Sequence, residues 1–187
     1  MSFVPASEAS PWLQRWGACA QPGQTALDLA CGGGRHSRWM NDLGLHVTAV
    51  DRNSDALASL PPGLETLTAD LESAPWPLAD RTFDWVVVTN YLWRPLFPSL
   101  LQAVAPDGYL IYETFAQGQE QLGRPRNPDF LLAPGELLTL CQGKLHVLAY
   151  EDGVVNGARM QRVAARRVAV GDKPCPIEHL HIPSTTP

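Results

Sequence analysis

Residues 27–36 read LDLACGGGRH, and this stretch constrains the fold more than any other part of the chain. A short apolar run typical of a buried strand ends in three consecutive glycines, and a segment with helical periodicity follows at once. Glycines at such a turn let the backbone approach a ligand closely, and the start of a helix presents N–H groups to it. The stretch therefore predicts a strand–turn–helix unit that holds a nucleotide cofactor. The alternative is a glycine-rich turn without a ligand.

Strand-like and helix-like apolar patterns alternate along the rest of the chain. Strands are predicted at residues 25–30, 46–50, 64–69, 83–89, 109–114, 145–150 and 158–168. Helices are predicted at residues 35–43, 54–60, 98–105 and 134–141. The last two strands are joined only by EDGVVNG, which favours a hairpin over a crossover helix. The pattern predicts a single α/β domain with a mostly parallel seven-stranded sheet, helices on both faces and a terminal antiparallel hairpin.

The two ends of the chain stand outside this alternation. Residues 1–20 contain the amphipathic stretch PWLQRW, which predicts a short helix over the edge of the sheet or over a pocket. Residues 171–187 are rich in Pro, Ser and Thr, and we expect them to form an extended or disordered tail. The chain of 187 residues therefore suits one domain over residues 1–170.

Composition excludes several classes of function. The net charge of −5 argues against a duplex-DNA binder, and no apolar run reaches the roughly 20 residues that span a bilayer. The four cysteines form no CxxC pair, which disfavours structural zinc or a disulfide framework and favours a reducing cytoplasm. A possible metal cluster near the end of the chain lacks regular ligand spacing, so no metal site is predicted. Its members are Cys175, Glu178, His179 and His181.

The residues around the glycine turn distinguish between cofactors. A dinucleotide fingerprint has a third glycine where this chain has Ser37, and Asp28 would repel a pyrophosphate but suits a ligand ammonium group. The stretch resembles the first motif of class I S-adenosylmethionine-dependent methyltransferases, which reads acidic-x-G-x-G-x-G. Asp28, Gly32 and Gly34 match it. Ala30 stands where the motif has its first glycine, and it adds only one methyl group. The resemblance implies the class I methyltransferase fold and S-adenosylmethionine as cofactor.

Two further acidic residues follow predicted strands. Asp51 ends the second strand, where a carboxylate can accept hydrogen bonds from a ribose diol; the alternative is a helix cap. Asp70 follows the third strand, where it can accept from an adenine amino group; the alternative is a solvated loop residue. The resemblance implies a wider cofactor-binding set: Asp28, Ala30, Cys31, Gly32, Gly34, Asp51, Arg52, Asp70, Leu71, Thr89 and Asn90.

The acceptor site is predicted from the segments after the fourth and fifth strands. Tyr91, Trp93 and Arg94 are expected to line the acceptor pocket, the alternative being that the aromatic residues only pack. The long loop 115–132 is expected to close over the acceptor, and its Arg124 and Arg126 would favour a polar or anionic acceptor unless they are ordinary surface residues.

An acceptor that must lose a proton needs a base. The candidates are Tyr91, Glu113 and His36.

Together these segments resemble the tellurite-resistance-type small-molecule methyltransferases over about residues 10–168. The resemblance implies a methyltransferase that transfers the methyl group of S-adenosylmethionine to a small-molecule nucleophile by in-line SN2, leaving S-adenosylhomocysteine. The NPPY motif of amino-group nucleic-acid methyltransferases is missing, so a nucleic acid is not an expected partner. Since no apolar run is long enough to span a bilayer, a membrane is not expected either. Two alternatives stay open: a non-catalytic cofactor-binding sensor or partner module, and an NAD-dependent oxidoreductase on the same half-fold.

Overall fold

The computed structural model describes residues 8–168, so the predicted tail at 171–187 and the possible metal cluster lie outside the described residues. Its seven strands are β1 (Thr25–Leu29), β2 (His46–Asp51), β3 (Glu65–Thr68), β4 (Phe83–Thr89), β5 (Val104–Phe115), β6 (His146–Val155) and β7 (Ala158–Arg166). They form one sheet in the order β3-β2-β1-β4-β5-β7-β6. Strands β1 to β5 are parallel, and β7 runs antiparallel between β5 and β6. The predicted sheet with its terminal antiparallel hairpin is confirmed.

Six helices accompany the sheet: α1 (Pro11–Gly17), α2 (Arg35–Asp42), α3 (Ser54–Ala58), α4 (Phe97–Ala103), α5 (Gln119–Leu122) and α6 (Glu136–Cys141). Single 3-10 turns lie at Arg94–Leu96 and Pro128–Phe130. In the described range, no helix is both long and apolar enough to cross a membrane.

Three boundaries differ from the sequence prediction. Strand β5 begins at Val104, inside the segment predicted as helix 98–105, because Val104 pairs with Phe83 across a register shift in β4. Strand β6 continues to Val155, since the hairpin turn at Asn156 and Gly157 keeps the last two strands paired to their ends. The segment 115–132 contains α5 and a 3-10 turn where a loop was expected, and its ends are joined by a bridge between residues 116 and 132.

The sheet separates two layers of apolar side chains, because successive residues of a strand point to opposite faces. One layer holds α1 and α2 against the sheet. Its members include Trp12, Trp16, Met40, Ala26, Trp85 and Ile111. The other layer holds α4 and α6. Its members include Leu27, Val86, Leu110, Leu100 and Leu137. The alternation places Asp28, Thr89 and Glu113 on the face of α1 and α2, at the carboxyl ends of their strands.

Candidate active site

The turn after β1 has the backbone shape that the glycines predict. Gly32 and Gly34 have φ angles of 53° and 68°, in the left-handed region. A Cβ on Gly34 would lie 2.1 Å from Leu60 Cδ2, so the turn packs tightly against that side chain, whereas a Cβ on Gly32 would meet nothing within 4 Å. Ala30 also has a left-handed φ of 54°, which costs a non-glycine residue about 1–2 kcal/mol. Its side chain therefore adds backbone strain as well as a methyl group.

Asp51 ties this turn to β2. Its Oδ2 accepts a hydrogen bond from the N–H of Gly32 at 2.7 Å, and its Oδ1 accepts from the N–H of Asn53 at 2.8 Å. The side chain that caps α3 is that of Asn53, which accepts from the N–H groups of Asp55 and Ala56. Each carboxylate oxygen has a second lone pair, so Asp51 can hold the turn and still accept hydrogen bonds from a ligand.

Asp70 lies after β3 with a similar pattern of local hydrogen bonds. Its Oδ1 accepts from the N–H of Glu72 at 3.0 Å, and its Oδ2 accepts from the Ser73 hydroxyl at 2.6 Å. The bond from Ser73, followed by that from Glu72, lowers the pKa of Asp70. The carboxylate is therefore ionised at neutral pH and is oriented before any ligand arrives.

A cleft of about 380 Å³ opens at this edge of the sheet, which is the size of a small-molecule site. Its carboxylate side is formed by Asp51, Arg52, Asp70 and Glu72, and its aromatic side by Tyr91, Phe115, Pro125 and Phe130. The remaining lining residues are Ala30, Ala69, Leu71, Asn90, Leu92 and Thr114.

Seven of the predicted site residues line the cleft: Ala30, Asp51, Arg52, Asp70, Leu71, Asn90 and Tyr91. Sequence reasoning missed the other seven: Ala69, Glu72, Leu92, Thr114, Phe115, Pro125 and Phe130. Several of these directly follow or end a strand, as Asp51 and Asp70 do, so position after a strand was a usable signal for them. No local pattern marks Pro125 or Phe130.

Three predicted residues lie behind the glycine turn, buried on the face of α1 and α2. Asp28 is 1% exposed, accepts from the Ser37 hydroxyl, and has its pKa raised to about 6 by burial. His36 is 2% exposed with Nδ1 3.1 Å from Thr89 Oγ1, and burial lowers its pKa to about 4. Glu113 is buried with Arg162 Nη1 3.9 Å away, and burial raises its pKa. At neutral pH the imidazole of His36 is neutral.

The residues predicted for the acceptor are divided between cleft and scaffold. The Tyr91 hydroxyl is buried and has no hydrogen-bond partner among residues 8–168. Burial raises the pKa of Tyr91, so its phenol stays protonated. Trp93 packs against the core on the α4 and α6 face. Arg124 and Arg126 are exposed and do not line the cleft, so their role toward an acceptor stays a prediction.

Arg94 contacts the protein with most of its guanidinium. Its Nε donates to Glu136 Oε1 at 2.7 Å, its Nη1 to the Asp129 carbonyl at 2.9 Å, and its Nη2 to the Leu131 carbonyl at 2.9 Å. A substrate role was predicted for this residue, but the structure places it as a clamp on the turn that carries Phe130. A guanidinium has only five N–H groups. Because the bonds to the protein use most of them, few are left to bind a substrate.

The sheet order, the antiparallel β7 and the glycine turn after β1 define a class I methyltransferase fold. Residues 26–108 match the model of a family described as a methyltransferase domain. The mitochondrial ubiquinone biosynthesis O-methyltransferase of Schizosaccharomyces pombe is 34% identical over 110 residues, which is 51% of this chain and 39% of that protein.

Solved structures agree with this assignment of the fold. TehB from Haemophilus influenzae superposes with a TM-score of 0.70 at 19% identity, over 88% of this chain and 64% of that chain. An S-adenosylmethionine-dependent methyltransferase from Mesorhizobium loti gives a TM-score of 0.67 at 19% identity, over 87% and 100%. This chain therefore spans less than two thirds of the length of the curated relative and of TehB.

Residues 26–108 match the model of a methyltransferase domain, and the Mesorhizobium loti protein with this fold is described as S-adenosylmethionine-dependent. The cleft suits that cofactor by its chemistry. Asp51 and Asp70 are oriented acceptors at the ends of adjacent strands β2 and β3, and the strained Ala30 backbone lies between Asp28 and the open Gly32.

Proposed function

We propose that this protein transfers the methyl group of S-adenosylmethionine to a small-molecule nucleophile. The observation that carries the proposal is the cleft, where Asp51 and Asp70 lie at the carboxyl ends of β2 and β3 within the methyltransferase domain. When bound, S-adenosylmethionine supplies a sulfonium methyl group that bonds to the acceptor's lone pair as the S–CH₃ electron pair returns to sulfur.

The residues of the chain would act mainly by binding and orientation. Asp51 would accept hydrogen bonds from the ribose hydroxyls and Asp70 from the adenine amino group, each with lone pairs that its backbone partners leave available. Asp28 lies on the other side of the glycine turn, where its charge would favour the ammonium group of the cofactor. Holding two reactants in line supplies most of the acceleration in such a reaction.

The need for a base depends on the acceptor. His36 is neutral at pH 7 and can take up a proton, whereas the protonated Tyr91 is suited to donating a hydrogen bond. Glu113 has a raised pKa and is held next to Arg162. Because His36 is buried behind the glycine turn and does not line the cleft, we propose that none of the three candidates acts as a base on an acceptor held there.

The name of the curated relative supports a small-molecule acceptor and an oxygen nucleophile. The net charge of −5 supports the absence of a nucleic-acid partner, and the spacing of the four cysteines supports a cytoplasmic location. A nicotinamide-dependent activity is disfavoured, because the matched domain is a methyltransferase and the sheet ends in an antiparallel hairpin.

Two measurements on the purified protein test the proposal. Calorimetry should show binding of S-adenosylmethionine and S-adenosylhomocysteine, with thermal stabilisation of about 2.7 kcal/mol at a hundredfold excess over Kd, and no stabilisation by NAD. An acceptor screen should then detect release of S-adenosylhomocysteine. Binding without release from any acceptor would favour the sensor alternative, and stabilisation by NAD alone would refute the cofactor.

A further inference from the structure

We propose that the aromatic side of the cleft selects an uncharged acceptor with a flat ring and one polar group that reaches Tyr91. This inference rests on the proposed methyl transfer and adds the class of acceptor to it. It is carried by the position of the aromatic side, by the way Phe130 is held, by the Tyr91 hydroxyl and by the distribution of charge.

The two sides of the cleft follow different strands of the sheet. The carboxylate side follows β2 and β3, and the aromatic side follows β4 and β5 and includes the connection after β5. Two strand spacings separate β2 from β4 and four separate β3 from β5, distances of about 10 Å and about 19 Å at roughly 4.8 Å for each pair. If Asp51 and Asp70 hold the nucleoside, the aromatic side is left for the second reactant.

Phe130 is a large apolar ring held in an exposed position by a fixed backbone. Its side chain is 44% exposed, although it lines the cleft. Arg94 donates to the carbonyls on either side of it, those of Asp129 and Leu131, and Glu136 holds the guanidinium in place. The exposure of Phe130 is therefore a built feature of this turn and not the result of a loose loop.

The same turn is tied to the end of β5. The N–H of Leu132 donates to the carbonyl of Phe115 at 3.0 Å, and the N–H of Gln117 donates to the carbonyl of Leu132 at 3.0 Å. Leu131 and Leu132 are buried, so in the run Phe130-Leu131-Leu132 only the phenylalanine is presented to the cleft. Phe115 and Phe130 therefore line the cleft from two backbone segments that are bonded to each other, and aromatic rings in such positions bind a flat ring better than a chain of equal size.

Tyr91 lines the same cleft, and its hydroxyl is the polar group that we assign to the acceptor. It is buried and lacks a partner within the described part of the chain, a state that costs free energy until a ligand group satisfies it. Because burial keeps the phenol protonated, it can donate to an uncharged oxygen, sulfur or nitrogen.

The charges of the cleft disfavour an anionic acceptor. Asp51, Asp70 and Glu72 line it together with one arginine, Arg52, which belongs to the carboxylate side. On the aromatic side, no cationic side chain of residues 8–168 is among the lining residues. An anion would therefore meet net negative charge. An uncharged acceptor therefore fits the cleft better than the anionic one that the arginines of the 115–132 segment suggested, since those arginines do not line it.

Binding to the complex with S-adenosylhomocysteine tests the inference without requiring turnover. The probes are catechol and phenol, each titrated by calorimetry at neutral pH beside a matched non-aromatic ring that is also uncharged: trans-1,2-cyclohexanediol and cyclohexanol. An anionic probe, 3,4-dihydroxybenzoate, is compared with catechol. We expect at least one flat uncharged probe to bind at least tenfold more tightly than its saturated partner, and catechol more tightly than the anion. Equal or reversed preferences would overturn the inference.

Variants locate the recognition on the aromatic side. Phe130→Ala should raise the Kd of the preferred ring at least tenfold and Phe130→Tyr should restore it, while the affinity for S-adenosylhomocysteine stays within threefold. Leu122→Ala is the matched control, because Leu122 lies in the same connection, is 55% exposed and does not line the cleft. Equal effects of Phe130→Ala and Leu122→Ala would contradict the assignment. Failure of S-adenosylhomocysteine itself to bind would instead refute the proposed function, and with it the inference.

Discussion

The carboxylate side and the aromatic side of the cleft are built in different ways. Asp51 and Asp70 follow their strands directly, and most of their hydrogen bonds come from groups within three residues. Phe130 is positioned by Arg94, which lies 36 residues earlier in the chain, and by the bridge between residues 116 and 132 next to the end of β5. One side is therefore specified by local sequence and the other by contacts between distant segments.

The difference has a functional meaning under the proposed activity. A side specified by strand ends suits a cofactor that is the same in every turnover, because its shape follows from the fold itself. A side carried on a connection can be changed by substitutions that leave the sheet intact, which suits the reactant that varies among enzymes of one fold. The following predictions test whether the two sides are separate in this chain.

The largest effect is expected from Asp51→Ala. Loss of charge-assisted hydrogen bonds worth roughly 1.5–3 kcal/mol each should lower the affinity for S-adenosylmethionine at least tenfold, measured by calorimetry. The unfolding free energy should also fall by about 1–2 kcal/mol, since the N–H groups of Gly32 and Asn53 lose their acceptor. Asp55→Ala removes the same charge outside the cleft and is the control. Unchanged affinity would show that Asp51 supports the glycine turn but does not bind the cofactor.

That prediction also corrects a simpler expectation from the sequence, in which Asp51 contacts only the ligand or only caps a helix. The pattern of a strand ending in an acidic residue places Asp51 correctly at the cleft. It cannot show that Gly32, 19 residues away, donates to the same carboxylate. Such a contact depends on the pairing of β1 with β2, which periodicity does not specify in detail.

The fold was predictable from the sequence for the same reason. The runs of apolar residues at β1, β2 and β4 are buried on both faces, which gives an unambiguous signal. The start of β5 was missed because Val104 pairs with Phe83 only across a bulge, and residues 105–108, which separate Val104 from the regular pairing at Tyr109, have the turn-forming sequence APDG. The clamp of Arg94 was missed because a lone arginine after a strand looks the same whether it binds a substrate or a distant carbonyl.

Asp28 is expected to behave unlike the carboxylates of the cleft, because it is buried behind the glycine turn. Burial raises its pKa from 3.8 to about 6 on folding. The free energy of unfolding therefore falls as pH rises from about 4 to 6, and above pH 6 the full cost of ionising the buried group remains. At about 1.4 kcal/mol for each pH unit, the cost is ~3 kcal/mol at pH 7. Asp28→Asn should therefore raise the unfolding free energy by roughly 2–3 kcal/mol at pH 7 and change it little at pH 4.

Denaturant unfolding of the cofactor-free protein at the two pH values measures this effect, with Asp42→Asn at the exposed end of α2 as control. The same Asp28→Asn protein should bind S-adenosylmethionine more weakly, because an amide attracts an ammonium group less than a carboxylate does. A variant that loses stability at pH 7 would show that Asp28 is held mainly by favourable contacts. Burial of this carboxylate would then not lower the stability of the protein in exchange for a function.

His36 should show the opposite dependence on pH. Its pKa falls from 6.5 to about 4 on folding, so the stability contributed by the neutral ring is present above pH 6.5 and is lost as pH falls toward 4. The slopes from His36 and Asp28 have opposite signs between about pH 4 and 6 and largely offset each other in the unmodified protein. The raised pKa of Glu113 adds to the slope from Asp28.

In His36→Gln the buried acids alone determine how stability depends on pH. Its free energy of unfolding should therefore fall by up to about 2 kcal/mol as pH rises from 4 to 6. Asp28→Asn should expose the reverse slope. Unfolding free energies at half-unit pH steps distinguish the two variants from the unmodified protein, whose curve should lie between theirs. Parallel curves for all three proteins would show that neither buried group titrates in this range.

The smallest effect is expected from the double substitution of Arg124 and Arg126 by Ala. Both side chains are exposed and outside the lining of the cleft, and charges in that position are screened over about 8 Å at physiological salt. We expect methyl transfer to an uncharged ring and the affinity for S-adenosylmethionine each to change by less than about twofold, under 0.5 kcal/mol. A large loss of turnover with cofactor affinity within threefold would instead show that the segment closes over the acceptor and recognises charge, against the neutral aromatic side. A collapse of cofactor affinity would assign the two arginines to the cofactor carboxylate and join the two sides of the cleft into one binding surface.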